Sequence, residues 1–209
     1  MNKSVILCGV GGQGTVLASK LISYAAMEKG QEVKSAETIG MAQRGGSVTS
    51  HIRMGEGAFS PLIPKGTADV MIAFEPAEAV RNLSYLKKDG VVVVSGKAVK
   101  PVTAALSEKV YEPEEMLNYL QSKVQRLIVI DGGQVEEELG SVKPLNVVLL
   151  GAAIACNEID ISMEEIKDVI ARKVPEKFHA LNYKALELGE RAAGLSQFFC
   201  GNSNRTLTF

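Results

Sequence analysis

Short apolar runs alternate along the chain with stretches in which apolar residues recur every three or four positions. The apolar runs predict strands over residues 4–8, 69–74, 90–95 and 127–130, with a weaker one over 32–37. The helical spacing predicts helices over residues 15–29, 76–88, 113–123, 144–156, 162–172 and 176–194. Strands that alternate with helices in this way are typical of an α/β fold. We therefore expect a three-layer α/β/α sandwich with a mostly parallel sheet and a Rossmann-like start.

One segment has the strict alternation of a strand with one buried face. Over Ser47–Met54, apolar residues dominate one face and polar residues, including His51, occupy the other. A glycine-containing turn over 55–57 follows, and residues 58–63 contain Pro61, which is typical of an edge strand. The pattern predicts an antiparallel hairpin over residues 47–63, added to the parallel sheet.

Length and composition limit the class of protein. The chain has 209 residues, which suits one domain, and we place that domain at residues 1–194. Residues 195–209 lack periodicity and form a predicted C-terminal tail. The formal net charge of −1, without a basic cluster, excludes a nucleic-acid face of the usual kind. No apolar run approaches the roughly 20 residues of a membrane span, so we expect no membrane partner.

The cysteines argue against a metal site or a disulfide framework. Cys8, Cys156 and Cys200 stand far apart in the sequence, whereas zinc sites and cysteine-held iron–sulfur clusters need close-set ligands. A sparse, odd set suits a reducing compartment, which predicts a cytoplasmic location. Within the first strand, Cys8 has the character of a small buried hydrophobe rather than a nucleophile.

The strongest motif is a glycine-rich loop between the first strand and the first helix. The candidate ligand-binding residues of this loop are Gly9, Gly11, Gly12, Gln13 and Gly14. Their spacing matches G-x-G-x-x-G, in which glycines allow a tight turn and a close backbone approach to phosphate at a helix start. The alternative is that the glycines only let the helix pack on the sheet. The sequence leaves both interpretations open.

A second candidate loop lies just before the alternating strand. It ends in Arg44, Gly45 and Gly46, which offer a guanidinium fork and exposed backbone donors for a phosphate or carboxylate. A solvated surface loop is the alternative. A third glycine pair, in Asp131-Gly132-Gly133, predicts a plain turn after a buried strand.

A dinucleotide site is less well supported. Glu37, which lies 23 residues beyond Gly14, could contact a ribose, but a polar loop and a hairpin follow it instead of a second βα unit. His51 and His179 lack an acidic or cysteine partner at catalytic spacing, so we expect packing or surface roles. The sequence thus predicts no catalytic residue and no metal ligand. A stand-alone module that binds NAD or another nucleotide remains the alternative function.

Four motifs together resemble one enzyme family. The first strand leads into Gly9-Val10-Gly11-Gly12-Gln13-Gly14-Thr15, and Gly40-Met41-Ala42-Gln43-Arg44-Gly45-Gly46 follows it. Later come Lys143-Pro144-Leu145-Asn146 and Leu150-Gly151-Ala152. In this order they resemble the gamma-type subunit or domain of 2-oxoacid:ferredoxin oxidoreductases. The amino-acid sequence around Arg44 is most similar to that of the small subunit of the indolepyruvate enzymes.

The resemblance implies an oxidoreductase subunit that is inactive alone. Such enzymes oxidatively decarboxylate a 2-oxoacid, here indolepyruvate or another arylpyruvate, to acyl-coenzyme A and pass electrons to ferredoxin. Thiamine diphosphate, magnesium and [4Fe–4S] clusters are then expected on the large (alpha) partner subunit. The two loops, with Arg44, Gly45 and Gly46, would face that partner or coenzyme A at the interface. The resemblance leaves open whether the isolated chain forms a homodimer.

Overall fold

The computed structural model describes residues 2–40, 45–99 and 111–199, without the side chains of 196–199. The strands are β1 Lys3–Val10, β2 Val33–Ile39, β3 Ser47–Met54, β4 Ala68–Ala73, β5 Leu86–Ser95 and β6 Arg126–Ile130. The helices are α1 Thr15–Glu28, α2 Pro76–Asn82, α3 Pro113–Lys123, α4 Gly132–Leu139, α5 Leu145–Ala155, α6 Met163–Lys173 and α7 His179–Phe199. Short 3₁₀ turns, Leu83–Tyr85 and Glu176–Phe178, precede β5 and α7.

The six described strands form one mixed sheet in the order β2-β3-β1-β4-β5-β6. The last four strands in this order run parallel, while β3 is antiparallel to both of its neighbours, β1 and β2. The parallel strands are apolar on both faces because helices cover both sides of that part of the sheet. Val91, Val92, Val93 and Val94 of β5 are all fully buried.

Successive residues of each parallel strand enter two different cores. In β1, Val5 and Leu7 pack on the side of α1, α5, α6 and α7, whereas Ile6 and Cys8 pack on the side of α2 and α3. This alternation follows from the two-residue period of a strand. It confirms the predicted three-layer α/β/α sandwich.

Two glycines allow α5 and α7 to lie against each other. A methyl group at Gly151 would overlap the backbone of Leu186, and one at Gly189 would overlap the backbone of Val148. The close approach explains why α5 is apolar all round, since the sheet covers one side of it and α7 the other.

The predicted hairpin over residues 47–63 is wrong. Residues 58–63 form no strand, and β3 pairs instead with β1 on one edge and β2 on the other. Both hydrogen-bonding edges of β3 are therefore occupied, and no edge remains for the following segment. That segment crosses the face of the sheet, where the amide of Ile63 donates to Nδ1 of His51 at 3.2 Å. The antiparallel connection that does form joins β2 to β3.

Several helix boundaries also differ from the sequence prediction. The helix predicted over 76–88 ends at Asn82, and the charged segment around Lys87 already belongs to β5. The turn predicted at Asp131 is the start of α4, because the Asp131 side chain accepts from the amide of Gly133 at 2.8 Å. The last helix reaches Phe199 and so continues into residues assigned to the tail.

Candidate functional site

The glycine loop connects the end of β1 to the start of α1. Gly12 and Gly14 have φ angles of 100° and 84°, which only glycine adopts without strain. The amides of Gly12 and Gly14 have no hydrogen-bond partner within the described parts of the chain. Together with the first turn of α1 they form a group of backbone donors of the kind that binds anions.

The side chain of Gln13 holds this loop in shape. Its Oε1 accepts from the amide of Val10 at 2.7 Å, and its Nε2 donates to the carbonyl of Phe74 at 2.9 Å. A Cβ at Gly9 would lie 2.8 Å from both the Gln13 Oε1 and the Phe74 Cβ. Gly9 therefore leaves the space that the Gln13 side chain needs. Gln13 thereby links the loop to the end of β4.

Asn146, at the start of α5, packs directly on Gly14. A Cβ at Gly14 would lie 2.5 Å from the Asn146 Nδ2. Beside it, the hydroxyl of Thr15 is buried and has no hydrogen-bond partner among the residues that the structure describes. Two sequence motifs that stand more than 130 residues apart, around Gly14 and Asn146, thus meet at one point of the fold.

The second predicted loop lies against the first. The amide of Gly11 donates to the carbonyl of Gly46 at 2.9 Å, and a longer contact of 3.5 Å joins the Gly45 amide to the Gly11 carbonyl. The fold thus brings Gly45 and Gly46 together with the glycine loop. Arg44 lies outside the described residues, as do residues 41–43.

A cleft of about 230 Å³ opens beside the joined loops. Its lining includes Val10, Gly45, Ser47, Glu75, Glu78 and Arg81. It lies at the carboxyl ends of β1 and β4, where parallel sheets usually bind their ligands. Among the described residues, the charged side chains of its lining are Glu75, Glu78 and Arg81, which belong to α2 and its N-cap.

Glu75 is the N-cap of α2 and is only 3% exposed. Its Oε2 accepts from the amide of Glu78 at 3.1 Å, and its Oε1 accepts from the hydroxyl of Tyr111. The same hydroxyl accepts from the amide of Ala77 at 3.2 Å. Burial, and then the bond to the Glu75 carboxylate, raise the pKa of the Tyr111 phenol. Tyr111 therefore remains a hydrogen-bond donor at neutral pH.

Glu78 is 5% exposed and has two further partners. Its carboxylate accepts from the Ser47 hydroxyl at 2.6 Å and forms an ion pair with Arg81, whose side chain is 60% exposed. Cys8 is buried nearby, and burial together with these carboxylates raises the pKa of its thiol. This environment confirms that Cys8 is a buried packing residue.

Sequence reasoning missed Glu75, Glu78 and Tyr111. A local signal was present for the first two, since an acidic residue, a proline and a glutamate three positions later directly follow a buried strand. That order is typical of a helix start. No local signal could have brought Tyr111 to Glu75, because 36 residues separate them.

The remaining candidate residues do not join the site. Glu37 is exposed on β2, and β3 lies between β2 and β1, so Glu37 is two strand spacings, roughly 10 Å, from the strand that carries the glycine loop. His51 packs edge-on against Tyr85, with 5.1 Å between ring centroids, and His179 contacts the Val174 carbonyl at 2.7 Å. His51 is buried and His179 is half-buried, which agrees with the packing or surface roles predicted from the sequence.

The described residues contain neither a cluster suited to a metal ion nor a membrane-spanning helix. No three histidine, cysteine, aspartate or glutamate side chains come together in an arrangement that could hold a metal ion. None of the described helices is long and apolar enough to cross a membrane.

Comparison with known proteins identifies the family. Residues 4–192 match the family described as pyruvate ferredoxin/flavodoxin oxidoreductase. The chain belongs to the pyruvate ferredoxin/flavodoxin oxidoreductase family. Within it, the chain is 39% identical to the indolepyruvate oxidoreductase subunit IorB of Archaeoglobus fulgidus, over 92% of this chain and 96% of the relative. It is 36% identical to the subunit of the same name from Pyrococcus horikoshii, over 91% and 95% of the two chains.

Two solved structures of ferredoxin oxidoreductases contain the same fold. The gamma subunit of a keto/oxoacid ferredoxin oxidoreductase from Geobacter sulfurreducens superposes with a TM-score of 0.65 at 21% identity, over 92% of this chain and 99% of that one. The 2-oxoglutarate:ferredoxin oxidoreductase of Magnetococcus marinus gives a TM-score of 0.68 at 21% identity. That match covers 99% of this chain but 32% of the longer one.

These relationships confirm the resemblance drawn from the sequence motifs. A chain of the pyruvate ferredoxin/flavodoxin oxidoreductase family that matches named subunits over nearly their whole length is an oxidoreductase subunit. The stand-alone nucleotide-binding module is not favoured. The displaced position of Glu37 gives an independent structural reason against it.

Proposed function

We propose that this chain is the small subunit of an oxidoreductase that converts an arylpyruvate, with indolepyruvate as the leading substrate, to its acyl-coenzyme A and passes the electrons to ferredoxin. The observation that carries the proposal is the match to the indolepyruvate subunit of A. fulgidus over 92% of this chain and 96% of that one. The match leaves almost no part of either chain without a counterpart. The chain is inactive without a large subunit.

The large (alpha) subunit carries the reactive groups. Thiamine diphosphate with its magnesium ion supplies the decarboxylation chemistry, and [4Fe–4S] clusters conduct the electrons to ferredoxin. The sparse cysteines of this chain suit such a division, since a cluster needs four close-set thiolates. The residues of this chain then shape the interface and exclude water from it.

The joined loops are the part of the chain that faces the partner or coenzyme A. Gly9, Gly11, Gly12, Gln13 and Gly14 form one side of this face, and Gly45 and Gly46 form the other. We assign Arg44 to the same face because it directly precedes Gly45 in the sequence. A phosphate of coenzyme A suits the unpartnered amides of Gly12 and Gly14 at the start of α1. It does not suit the interior of the adjoining cleft, where the carboxylates of Glu75 and Glu78 outnumber the single described cation, Arg81, which pairs with Glu78. An anion would therefore bind at the rim, over the amides.

Three smaller assignments follow from the sequence. We assign residues 1–194 to the functional domain and residues 195–209 to a C-terminal tail, the first residues of which continue α7. The location is cytoplasmic, as the three scattered cysteines suggest. The large subunit is its working partner, and whether the isolated chain forms a homodimer stays open.

Reconstitution tests the function. The chain and the large subunit of the same organism are purified separately, and each alone and their mixture are assayed for reduction of a viologen dye. Indolepyruvate, phenylpyruvate and pyruvate are compared, each with and without coenzyme A. We expect activity in the mixture alone, dependent on coenzyme A and highest with the two aryl substrates.

Two other outcomes would overturn the proposal in different ways. Activity highest with pyruvate would retain the subunit role and reject the substrate. Absence of both complex and activity, together with saturable binding of NAD to the chain alone, would reject the subunit role and favour the nucleotide-binding alternative.

A further inference from the structure

The strand β2 forms one edge of the sheet and is largely exposed on both faces. Val33 and Ala36 are partly buried, and the other residues of the strand are exposed. The order of the sheet ends at β2, so no described strand pairs with its outer edge. Proteins often protect such an edge with a proline, a bulge or a very short strand. The pairing of β2 with β3 is regular over seven residues that include no proline, so β2 has none of these three protections.

The hydrogen bonds at the two ends of β2 show which residues face the free edge. The amide of Gly55 donates to the carbonyl of Glu32 at 2.9 Å, and the amide of Gly40 donates to the carbonyl of Ser47 at 3.1 Å. Both pairs continue the register of β2 with β3. Hydrogen-bonded pairs alternate along an antiparallel ladder, so the even-numbered residues of β2 bond to β3. The backbone groups that point to the free edge are those of Val33, Ser35, Glu37 and Ile39.

We infer that this free edge binds the same edge of a second copy of the chain, antiparallel and across a two-fold axis between the two Ala36 residues. In this register Val33 lies opposite Ile39 of the second copy, and Ser35 lies opposite Glu37. The odd-numbered residues of the two copies then exchange the backbone hydrogen bonds that lack a partner within the described parts of one chain. The inference goes beyond the proposed function and does not depend on it.

The side chains of β2 are complementary to themselves in this register. Side chains that lie directly opposite each other in an antiparallel pair interact across the strands. Val33 and Ile39 form an apolar pair, which covers an Ile39 side chain that is 55% exposed in the single chain. The Ser35 hydroxyl is positioned to donate to the Glu37 carboxylate of the other copy. Each of these pairs occurs twice, because a two-fold axis places the same surface on both sides of the interface.

The charged side chains of β2 do not oppose this pairing. Lys34 lies opposite Thr38 on one face, and Glu37 lies opposite Ser35 on the other, so no like charges meet. Lys34 and Glu37 are exposed in the single chain, and pairing along the edge leaves both faces of β2 open. The ammonium and the carboxylate therefore stay in water, which avoids the cost of burying a charge.

The neighbouring two-fold registers are less favourable. Residues can lie opposite each other only if both face the partner or both face away from it, so the next possible axes lie at Ser35 and at Glu37. An axis at Glu37 would place two carboxylates directly opposite each other, which is destabilising. An axis at Ser35 would place Glu37 opposite Val33 and would leave Ile39 beyond the end of the paired strands. The sequence of β2 thus favours one register, as expected for an edge that recognises its own copy.

Pairing at β2 leaves the candidate functional site free. Both β1 and β2 are antiparallel to β3, so they run in the same direction. Two antiparallel copies of β2 therefore place the two glycine loops at opposite ends of the joined sheet. Pairing of one strand buries less than the roughly 800 Å² per partner of a standard interface, so we expect a weak dimer with a dissociation constant of roughly 1–100 μM.

Sedimentation equilibrium of the full chain over a concentration series tests the inference. Ser35→Pro removes an amide that faces the free edge, whereas Ala36→Pro removes one that bonds to β3. Ser35→Glu places a second carboxylate opposite Glu37 of the other copy, and Ser35→Lys places an ammonium there instead. Thermal unfolding of each variant shows whether the fold is retained.

A cysteine cross-link tests the register. Ala36 lies opposite its own copy in a non-hydrogen-bonded pair, with about 4.5 Å between the Cα atoms, and a disulfide spans such a distance. The experiment uses a chain with Cys200→Ser, because Cys8 and Cys156 are buried. Under mild oxidation Ala36→Cys should form a covalent dimer, whereas Thr38→Cys, which lies opposite Lys34, should stay uncross-linked.

We expect the wild type to dimerise and Ser35→Pro to weaken dimerisation by about tenfold or more, because each copy loses a hydrogen bond between the strands. Its thermal unfolding should stay close to that of the wild type, while Ala36→Pro should unfold at a clearly lower temperature. Ser35→Glu should weaken dimerisation by about tenfold, because two like-charge pairs form. Ser35→Lys should dimerise at least as tightly as the wild type.

Three results would overturn the inference. The first is a wild-type chain that stays monomeric at about 200 μM, above the range expected for a weak interface. The second is a dimer that Ser35→Pro and Ser35→Glu leave intact, since the copies would then meet elsewhere. The third is a monomeric wild type whose binding to the large subunit is lost in Ser35→Pro, which would assign the edge to a strand of that subunit. All three leave the proposed function intact, because that function is measured by the activity of the reconstituted complex.

Discussion

The amide of Gly11 donates to the carbonyl of Gly46 across 2.9 Å. This bond joins the glycine loop, which follows β1, to the loop that precedes β3. The sequence predicts the two loops as separate candidate binding sites, and each has its own non-functional alternative: helix packing for the first and a solvated surface loop for the second. In the fold they form one surface beside the cleft, because β3 returns antiparallel to β1 and places Ser47 opposite Val10.

Gln13 is the residue that shapes this surface, and its removal should destabilise the chain. Gln13→Ala leaves the amide of Val10 and the carbonyl of Phe74 without their side-chain partner. Unpaired buried groups cost about 1–3 kcal/mol, so we expect a loss of that size in the free energy of unfolding measured with urea. Gln13→Glu keeps the acceptor but loses the donor and should lose stability too. Wild-type stability in Gln13→Ala would show that the loop does not depend on these bonds.

The contact between Gly14 and Asn146 can be separated from backbone strain by a matched pair. Gly14→Ala combines a φ of 84° with a clash on the Asn146 side chain, whereas Gly30→Ala has a φ of 76° and open space around the new methyl group. Strain alone costs about 1 kcal/mol. We therefore expect Gly14→Ala to reduce the free energy of unfolding by clearly more than Gly30→Ala. Equal losses in the two variants would contradict the packing described here.

Arg44 should matter for activity but not for folding. We expect Arg44→Ala to reduce the coenzyme A-dependent activity of the reconstituted complex, because it removes the guanidinium that the sequence assigns to the joined loops. Its unfolding curve should match that of the wild type. Arg191→Ala serves as the control and should retain activity. It removes an exposed arginine of α7 that pairs with Glu138 of α4. Unchanged kinetics and assembly in Arg44→Ala would exclude Arg44 from the site.

Stability should depend on pH through His51. Burial lowers the pKa of His51 in the folded chain below its ordinary value of 6.5. The unfolded chain then binds the proton more readily, so stability is full above about pH 6.5 and falls as the pH decreases toward the folded pKa. The slope from one such group is at most about 1.4 kcal/mol per pH unit.

Urea unfolding from pH 7.5 to 5 measures this dependence. His51→Asn offers a carbonyl oxygen in place of Nδ1 and cannot titrate, so its stability should change less over the same window. The difference between the two profiles isolates His51 from the carboxylates, which are common to both proteins. Parallel profiles would show that His51 protonation is not coupled to folding.

The packing of α5 on α7 gives a second matched pair within one helix. Gly189→Ala places a methyl group on the backbone of Val148, whereas nothing lies within 4 Å of a methyl group at Gly194. Overpacking costs about 1–3 kcal/mol or more, while glycine to alanine in an open helix position gains about 0.5–1 kcal/mol. Thermal unfolding should therefore show opposite shifts. A stabilised Gly189→Ala chain would contradict the close approach of the two helices.

The sequence by itself determined the elements whose signal is local. Residues 113–123 are a helix with the predicted bounds, and Ser162 and Glu165 form the predicted capping box before α6. Apolar runs located the buried strands because a strand covered on both faces needs apolar residues at every position. The motifs around Gly9, Arg44, Asn146 and Gly151 identified the family, since each is a short run that needs no knowledge of the fold.

Only the tertiary structure decided which of these elements meet. The alternation in Ser47–Met54 shows that β3 is a strand, but its partners are β1 and β2 rather than the segment that follows it. The meeting of Tyr111 with Glu75 and of Asn146 with Gly14 likewise depends on contacts between residues far apart in the chain. The hydrophobic periodicity of a segment indicates which of its faces is buried. The pairing of its strands depends on which edges and faces remain free once the whole sheet has formed. The glycines and carboxylates of the candidate site therefore have local sequence signals, whereas the contacts that Tyr111 and Asn146 make with them depend on the tertiary structure.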